Sequence, residues 1–149
     1  MPRLTYNTTI AASPARVWDV MLEQETYQSW TSAFAEGSRY EGSWDQGQSI
    51  RFLGPDGNGM VAVIAENRRH EFLSIQHLGM IMNGVQDTES ELAKAWTPSF
   101  ENYRFTPAGS STELEVTLDV PEQYVDFMNQ AWSAALAKLK GLCEAPGPA

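Results

Sequence analysis

Thr112-Glu113-Leu114-Glu115-Val116-Thr117-Leu118-Asp119, running through Val120 into the stretch from Pro121 to Glu144, decides the fold. In the first part Leu114, Val116 and Leu118 alternate with Glu113, Glu115, Thr117 and Asp119. That period of two marks a strand with one buried and one solvated face. Directly behind it the period changes. Tyr124, Val125, Met128, Ala131, Trp132, Ala135, Leu139 and Leu142 recur at spacings of three and four, the apolar stripe of one long helix. Glu122 and Asp126 near its start and Lys138 and Lys140 near its end suit the helix dipole. Ala134, Ala135 and Ala137 leave room for a close approach to a sheet.

Upstream of this pair the period-two signal repeats. Ser99 to Thr106 carries Glu101, Tyr103 and Phe105 in phase, and Pro107-Ala108-Gly109-Ser110 turns it into the strand quoted above. Leu73, Ile75 and His77 share a face of an earlier strand, as do Met60, Ala62 and Ile64. Ile50 and Phe52 precede the turn Gly54-Pro55-Asp56-Gly57-Asn58-Gly59. Tyr40, Gly42 and Trp44 form another set. Leu4, Tyr6, Thr8 and Ile10 open the chain as a first strand. Ser13-Pro14 then reads as an N-cap with proline at the first helical position. Val17, Trp18 and Met21 stripe a short helix, and Tyr27, Trp30 and Phe34 a second one ending at Gly37. Gly79 to Pro98 reads as a long connection, a lid or binding loop, with a helical turn around Ser90 to Trp96. The helices are segregated from the strands, which predicts an α+β domain. Its curved antiparallel sheet of about six to seven strands grips the C-terminal helix, with two short helices after strand one. One domain over residues 1–144 and a disordered tail over 145–149 are expected.

The chain of 149 residues carries 19 acidic against 10 basic side chains, a net charge of −9. Nucleic acid and anionic membrane surfaces are therefore not expected partners. Cys143 is the single cysteine, which precludes an internal disulfide and suits a reducing cytoplasm. The N-terminus has no apolar signal-peptide core, and no apolar run reaches the ~20 residues of a membrane span. A cytoplasmic chain is expected. Nucleophile elbow, phosphate loop, dinucleotide fingerprint and metal-ligand spacing are all lacking, so neither a cofactor nor a metal is expected.

With Ala12-Ser13-Pro14-Ala15-Arg16-Val17-Trp18 near its start, the chain resembles the START-like, helix-grip (SRPBCC) superfamily that includes the birch-pollen allergen fold. Trp30, His77-Leu78-Gly79, Asn83-Gly84 and Glu101-Asn102-Tyr103 add to the likeness. Within the superfamily the chain looks like the branch named for an activator of a heat-shock chaperone ATPase. The resemblance spans nearly the whole chain. It implies a deep cavity between sheet and final helix, used by different members for lipids, polyketides, hormones or chaperone contacts.

The residues expected to line such a cavity are the aromatics Trp30, Phe34, Phe52, Tyr103, Phe105 and Trp132. To these are added the apolar Met60, Ile64, Ile75 and Met128 and the titratable pair His77 and Glu101. A buried histidine is ordinarily held by a backbone carbonyl. A glutamate in phase with Tyr103 either points into the cavity or lies at the edge, paired with Arg51 or Arg104. The leading expectation is a binding protein for a small apolar or aromatic molecule. A cyclase- or hydrolase-like enzyme using His77, Glu101 and Tyr103 is the alternative, provided that these groups converge. A chaperone-contacting module is the third reading, and a homodimer is possible.

Overall fold

The computed structural model describes residues 1–145. The expected disordered tail, apart from Ala145, lies outside the described residues. Strand β1 (Arg3–Ile10) leads to helices α1 (Pro14–Leu22) and α2 (Gln24–Trp30), then to β2 (Arg39–Gly42), β3 (Ser49–Leu53), β4 (Gly59–Arg68) and β5 (Phe72–Met82). A short β6 (Val85–Asp87), helix α3 (Glu91–Trp96), β7 (Ser99–Ala108), β8 (Ser111–Asp119) and α4 (Val125–Glu144) complete the chain. A single 3-10 turn over Glu122–Tyr124 delays the start of the last helix. The eight strands form one antiparallel sheet in the order β1-β8-β7-β5-β4-β3-β2, with β6 beside β5.

Local chemistry accounts for most of these boundaries. The Ser13 hydroxyl accepts from the Arg16 amide and Pro14 opens α1, as an N-cap followed by proline should. The stripe expected to carry one helix from Tyr27 to Phe34 breaks after Trp30 into a 3-10 turn over Thr31–Ala33. The segment Gly79 to Pro98 is not a loop. β5 continues to Met82 and turns back through Asn83 and Gly84, both at positive φ, into β6. Two consecutive positive φ values match the right-handed twist of a hairpin, and Asn-Gly accepts them readily. α3 follows, with Ser90 as its N-cap. This hairpin raises the count from the expected six or seven strands to eight. At the β3–β4 turn a Cβ on Gly59 would lie 1.8 Å from the Phe52 carbonyl oxygen, so only glycine fits.

The ladder between β4 and β5 is interrupted twice. Ala62 pairs with His77 and Val61 with Gly79, which leaves Leu78 as an extra residue, and Ala65 is extra between the pairs Ile64–Ile75 and Glu66–Ser74. Such bulges bend a strand and increase its twist, helping to curl the sheet. The inner face of the sheet, α1 and α4 share one core, with Ile10, Val17, Ile64, Leu73, Leu114, Val116, Trp132 and Leu139 fully or almost fully buried. Leu53, Val61 and Ile81 form a small separate cluster.

The C-terminal end of α4 is fastened to the start of the chain. Arg16 donates to the carbonyls of Cys143 at 3.2 Å and Leu142 at 3.3 Å. Lys140 donates to the Thr9 carbonyl at 2.6 Å, and the Glu144 carboxylate accepts from the Ala11 amide at 2.7 Å. Cationic donors at the last helical carbonyls satisfy groups that the helix itself leaves free. Toward the other end of α4 the Tyr6 hydroxyl donates to Asn129 Oδ1 at 2.6 Å, and Trp96 of α3 packs against Tyr124, just before the helix, with centroids 4.5 Å apart.

Candidate functional site

Between α4, α2 and the sheet lies a pocket of about 280 Å³. Ten of the twelve residues expected around a cavity line it: Trp30, Phe34, Phe52, Met60, Ile75, His77, Glu101, Tyr103, Met128 and Trp132. Ile64 and Phe105 do not. Phe105 lies two residues beyond Tyr103 on the same face, where Trp18 of α1 covers it with ring centroids 5.2 Å apart. Ile64 has no exposed surface and belongs to the packed core. At both positions neighbouring side chains fill the space, so an inward-facing residue becomes core rather than wall.

Sequence reading left out several wall residues, among them Met21, Tyr27, Trp44, Trp96 and Val120. Tyr27 was legible on the same stripe as Trp30 and Phe34. Its ring lies 5.6 Å from Trp30, 5.0 Å from Tyr40, 6.2 Å from Trp44 and 6.4 Å from Phe52, and so ties α2 to β2 and β3. Trp44 lies past the end of β2, where alternation no longer reports direction. Trp96 closes α3, the helical turn expected around Ser90 to Trp96 within a segment otherwise expected to be a loop. Trp30 is oriented by its indole N–H, which donates to the Met21 carbonyl at 3.0 Å.

The wall also carries the hydroxyls of Tyr27, Thr31, Ser38 and Ser99, and one group of titratable residues meets on it. Ile75 pairs with Glu101 and His77 with Ser99 across β5 and β7, which makes His77 and Glu101 diagonal neighbours on the inner face. Their side chains meet at 3.3 Å, His77 Nε2 to Glu101 Oε1. Glu101 and Tyr103 are two residues apart on β7 and face the same way, and the Tyr103 hydroxyl donates to Glu101 Oε2. The expected backbone-carbonyl partner for His77 and an Arg51 or Arg104 partner for Glu101 are both replaced by this contact. Arg104 is at the opposite parity of β7, and its guanidinium stacks 4.8 Å from the Phe72 ring instead.

The Tyr103 phenol is held protonated, its pKa raised well above the ordinary value first by burial and then by the charge and hydrogen bond of Glu101. Tyr27 is raised by burial and, secondarily, by the same carboxylate. The protonated Tyr103 phenol makes Glu101 Oε2 an acceptor, and in the tautomer that carries its hydrogen on Nε2 the His77 ring donates to Oε1. His77 Nδ1 and Trp44 Nε1 are buried without a hydrogen-bond partner. Such orphaned atoms cost roughly 1–3 kcal/mol each. A carboxylate that orients an imidazole, beside a phenol, is an arrangement able to accept or deliver a proton. Among the described residues no group of three or more His, Cys, Asp or Glu side chains is disposed to hold a metal ion. No helix among them is long and apolar enough to cross a membrane.

A curved open sheet closed by one long C-terminal helix, with two short helices after the first strand, is the helix-grip architecture of START-like proteins. Residues 11–144 match the family described as Activator of Hsp90 ATPase homolog 1-like protein, and the chain belongs to that family. No curated protein matches the sequence. Among solved structures, a protein from Chromobacterium violaceum is similar at a TM-score of 0.72 with 16% identity, covering 97% of this chain and 98% of its own. The Aha1 dimer from Colwellia psychrerythraea is similar at 0.74 with 14% identity, covering 99% and 100%. DynU16, from the dynemicin biosynthetic locus, is similar at 0.69 with 13% identity, over 96% of this chain and 47% of its own.

Proposed function

We propose that the chain binds a small apolar or aromatic molecule in the pocket between sheet and α4. The observation that carries this reading is the wall itself: about 280 Å³ lined by Tyr27, Trp30, Phe34, Trp44, Phe52 and Trp132, with very few polar groups. Pockets of this make-up, apolar with a few convergent polar atoms, are the usual form of small-ligand sites. The family is commonly ligand-binding, and a relative from a biosynthetic locus is in keeping with the idea. Naphthalene and indole are suitable neutral probes. Binding raises the melting temperature and changes the fluorescence of the pocket tryptophans. If neither probe alters either signal, and native mass spectrometry detects no adduct, the reading fails.

A second reading, an enzyme of the cyclase or hydrolase kind, is favoured by the 3.3 Å contact between His77 and Glu101 with Tyr103 alongside. In it His77 is the general base, oriented by Glu101, and Tyr103 steadies the carboxylate. Turnover of a hydroxylated aromatic or polyketide-like substrate, lost in His77→Ala, is its test. The chaperone-contacting reading rests on the family description alone and ranks third. A second copy is the proposed protein partner, supported by the dimeric Colwellia relative and by exposed Leu78, Met82, Val85 and Leu92 around the β5–β6 hairpin and α3. Sedimentation at several concentrations tests it. A cytoplasmic location remains part of the proposal and is supported by the lone, buried Cys143.

A further inference from the structure

Glu101 is the one carboxylate on the pocket wall, and among the described residues no lysine or arginine lines it. Its oxygens face His77 Nε2 at 3.3 Å and the Tyr103 hydroxyl. A carboxylate offers about four acceptor positions, so about two stay free after these contacts. Its side chain keeps 24% exposure against 10% for His77, so the charge is sheltered without being sealed off. Around it the same wall carries the rings of Tyr27, Trp30, Trp44, Phe52 and Trp132. Ring faces are electron-rich and attract cations within about 6 Å, most strongly for tryptophan. Water is partly excluded here, so the carboxylate attracts a cation and repels an anion more strongly than at the surface.

We infer that the pocket selects an organic cation: a protonated amine on an aromatic or compact aliphatic body, its nitrogen beside Glu101 and its body among the rings. This inference rests on the ligand-binding reading above and adds the charge of the ligand. Free acceptor positions on Glu101 take the ammonium N–H groups, and the neutral phenols of Tyr27 and Tyr103 bring no cation to the carboxylate, so His77 is the one side chain on the described wall able to share its charge. A carboxylate- or phosphate-bearing ligand meets the same charge as repulsion.

Phenethylamine, phenethyl alcohol and phenylacetate share a skeleton and differ in charge, and calorimetry at neutral pH with tryptophan fluorescence reads their binding to the full chain. The amine is expected to bind about tenfold or more tighter than the alcohol, with phenylacetate weakest. In Glu101→Gln the amine should fall to within about twofold of the alcohol, while the alcohol itself changes little. Equal binding of phenylacetate and phenethylamine overturns the inference, as does an amine-to-alcohol ratio unchanged in Glu101→Gln. If that variant does not fold, the ranking of the three probes on the wild-type chain decides alone. Binding of naphthalene and the alcohol without any preference for the amine removes only the cation inference. Failure of every probe to bind removes the pocket reading and this inference together.

Discussion

The Tyr103 ring lies 6.1 Å from the Trp132 ring while its hydroxyl donates to Glu101, so one side chain belongs at once to the packed core and to the polar group of the pocket. Burial and the neighbouring carboxylate both oppose ionisation of that phenol.

Alkaline titration should register this. Tyr27 and Tyr103 have folded pKa values raised above the ordinary tyrosine value of 10.0, so the unfolded chain loses these protons first. The contribution of these two groups to stability is therefore constant below about pH 10 and falls as pH rises beyond it. Tyrosinate absorbance should account for fewer than all five tyrosines until the protein unfolds. Reversible titration of all five in the folded state would contradict the burial of these two.

Trp132→Ala is expected to destabilise the fold by about 3 kcal/mol, the lower part of the range for large buried aromatics. The ring is 2% exposed and packs against Tyr6, Trp30, Phe34 and Tyr103. It also borders the pocket, so part of its surface has fewer partner atoms to lose. A urea titration measures the change. A loss under about 0.5 kcal/mol would mean that the residue does not plug sheet and helix together.

Asp119 offers a test at the acid end. Burial alone would raise its pKa, but hydrogen bonds from Arg3 and the Phe100 amide, with the positive charge of Arg3, bring it below 3.8. A depressed folded pKa stabilises above the unfolded value and is lost as pH falls through the folded one. Asp119→Asn should therefore cost under about 1 kcal/mol at pH 7, since Arg3 is largely exposed. The difference from wild type should vanish below the folded pKa. A gap that widens on acidification would refute the assignment.

Alternation made the inward faces legible one strand at a time. Glu101, Tyr103 and Phe105 were in phase in the sequence, as were Ile75 and His77. Alternation does not report register, however, and β5 and β7 are separated by β6 and α3, so the meeting of His77 with Glu101 could be posed only as a condition. The three-residue β6 is too short to display a period, and the hairpin containing it therefore read as a connection. Ile64 and Phe105 illustrate a further limit. Facing inward is a property of strand phase, whereas lining a pocket depends on what packs opposite, and Trp18 covering Phe105 has no signature in the spacing of β7.

The unequal fastening of α4 makes the helix a door with its hinge at the far end. Polar bonds from Arg16, Lys140 and Glu144 secure its last turns to β1 and the start of α1, whereas its first turns have one such bond, Tyr6 to Asn129, lean on Trp96 and leave Phe127 half in solvent. Met128 and Trp132, the two helix residues on the pocket wall, lie toward this more lightly fastened side. For a chain that binds as proposed, a local opening there would let a guest exchange at a far lower cost than releasing the whole helix. Amide protons near Met128 should accordingly exchange faster than those near Leu139, and the residence time of any guest should follow the swing of that more weakly held end.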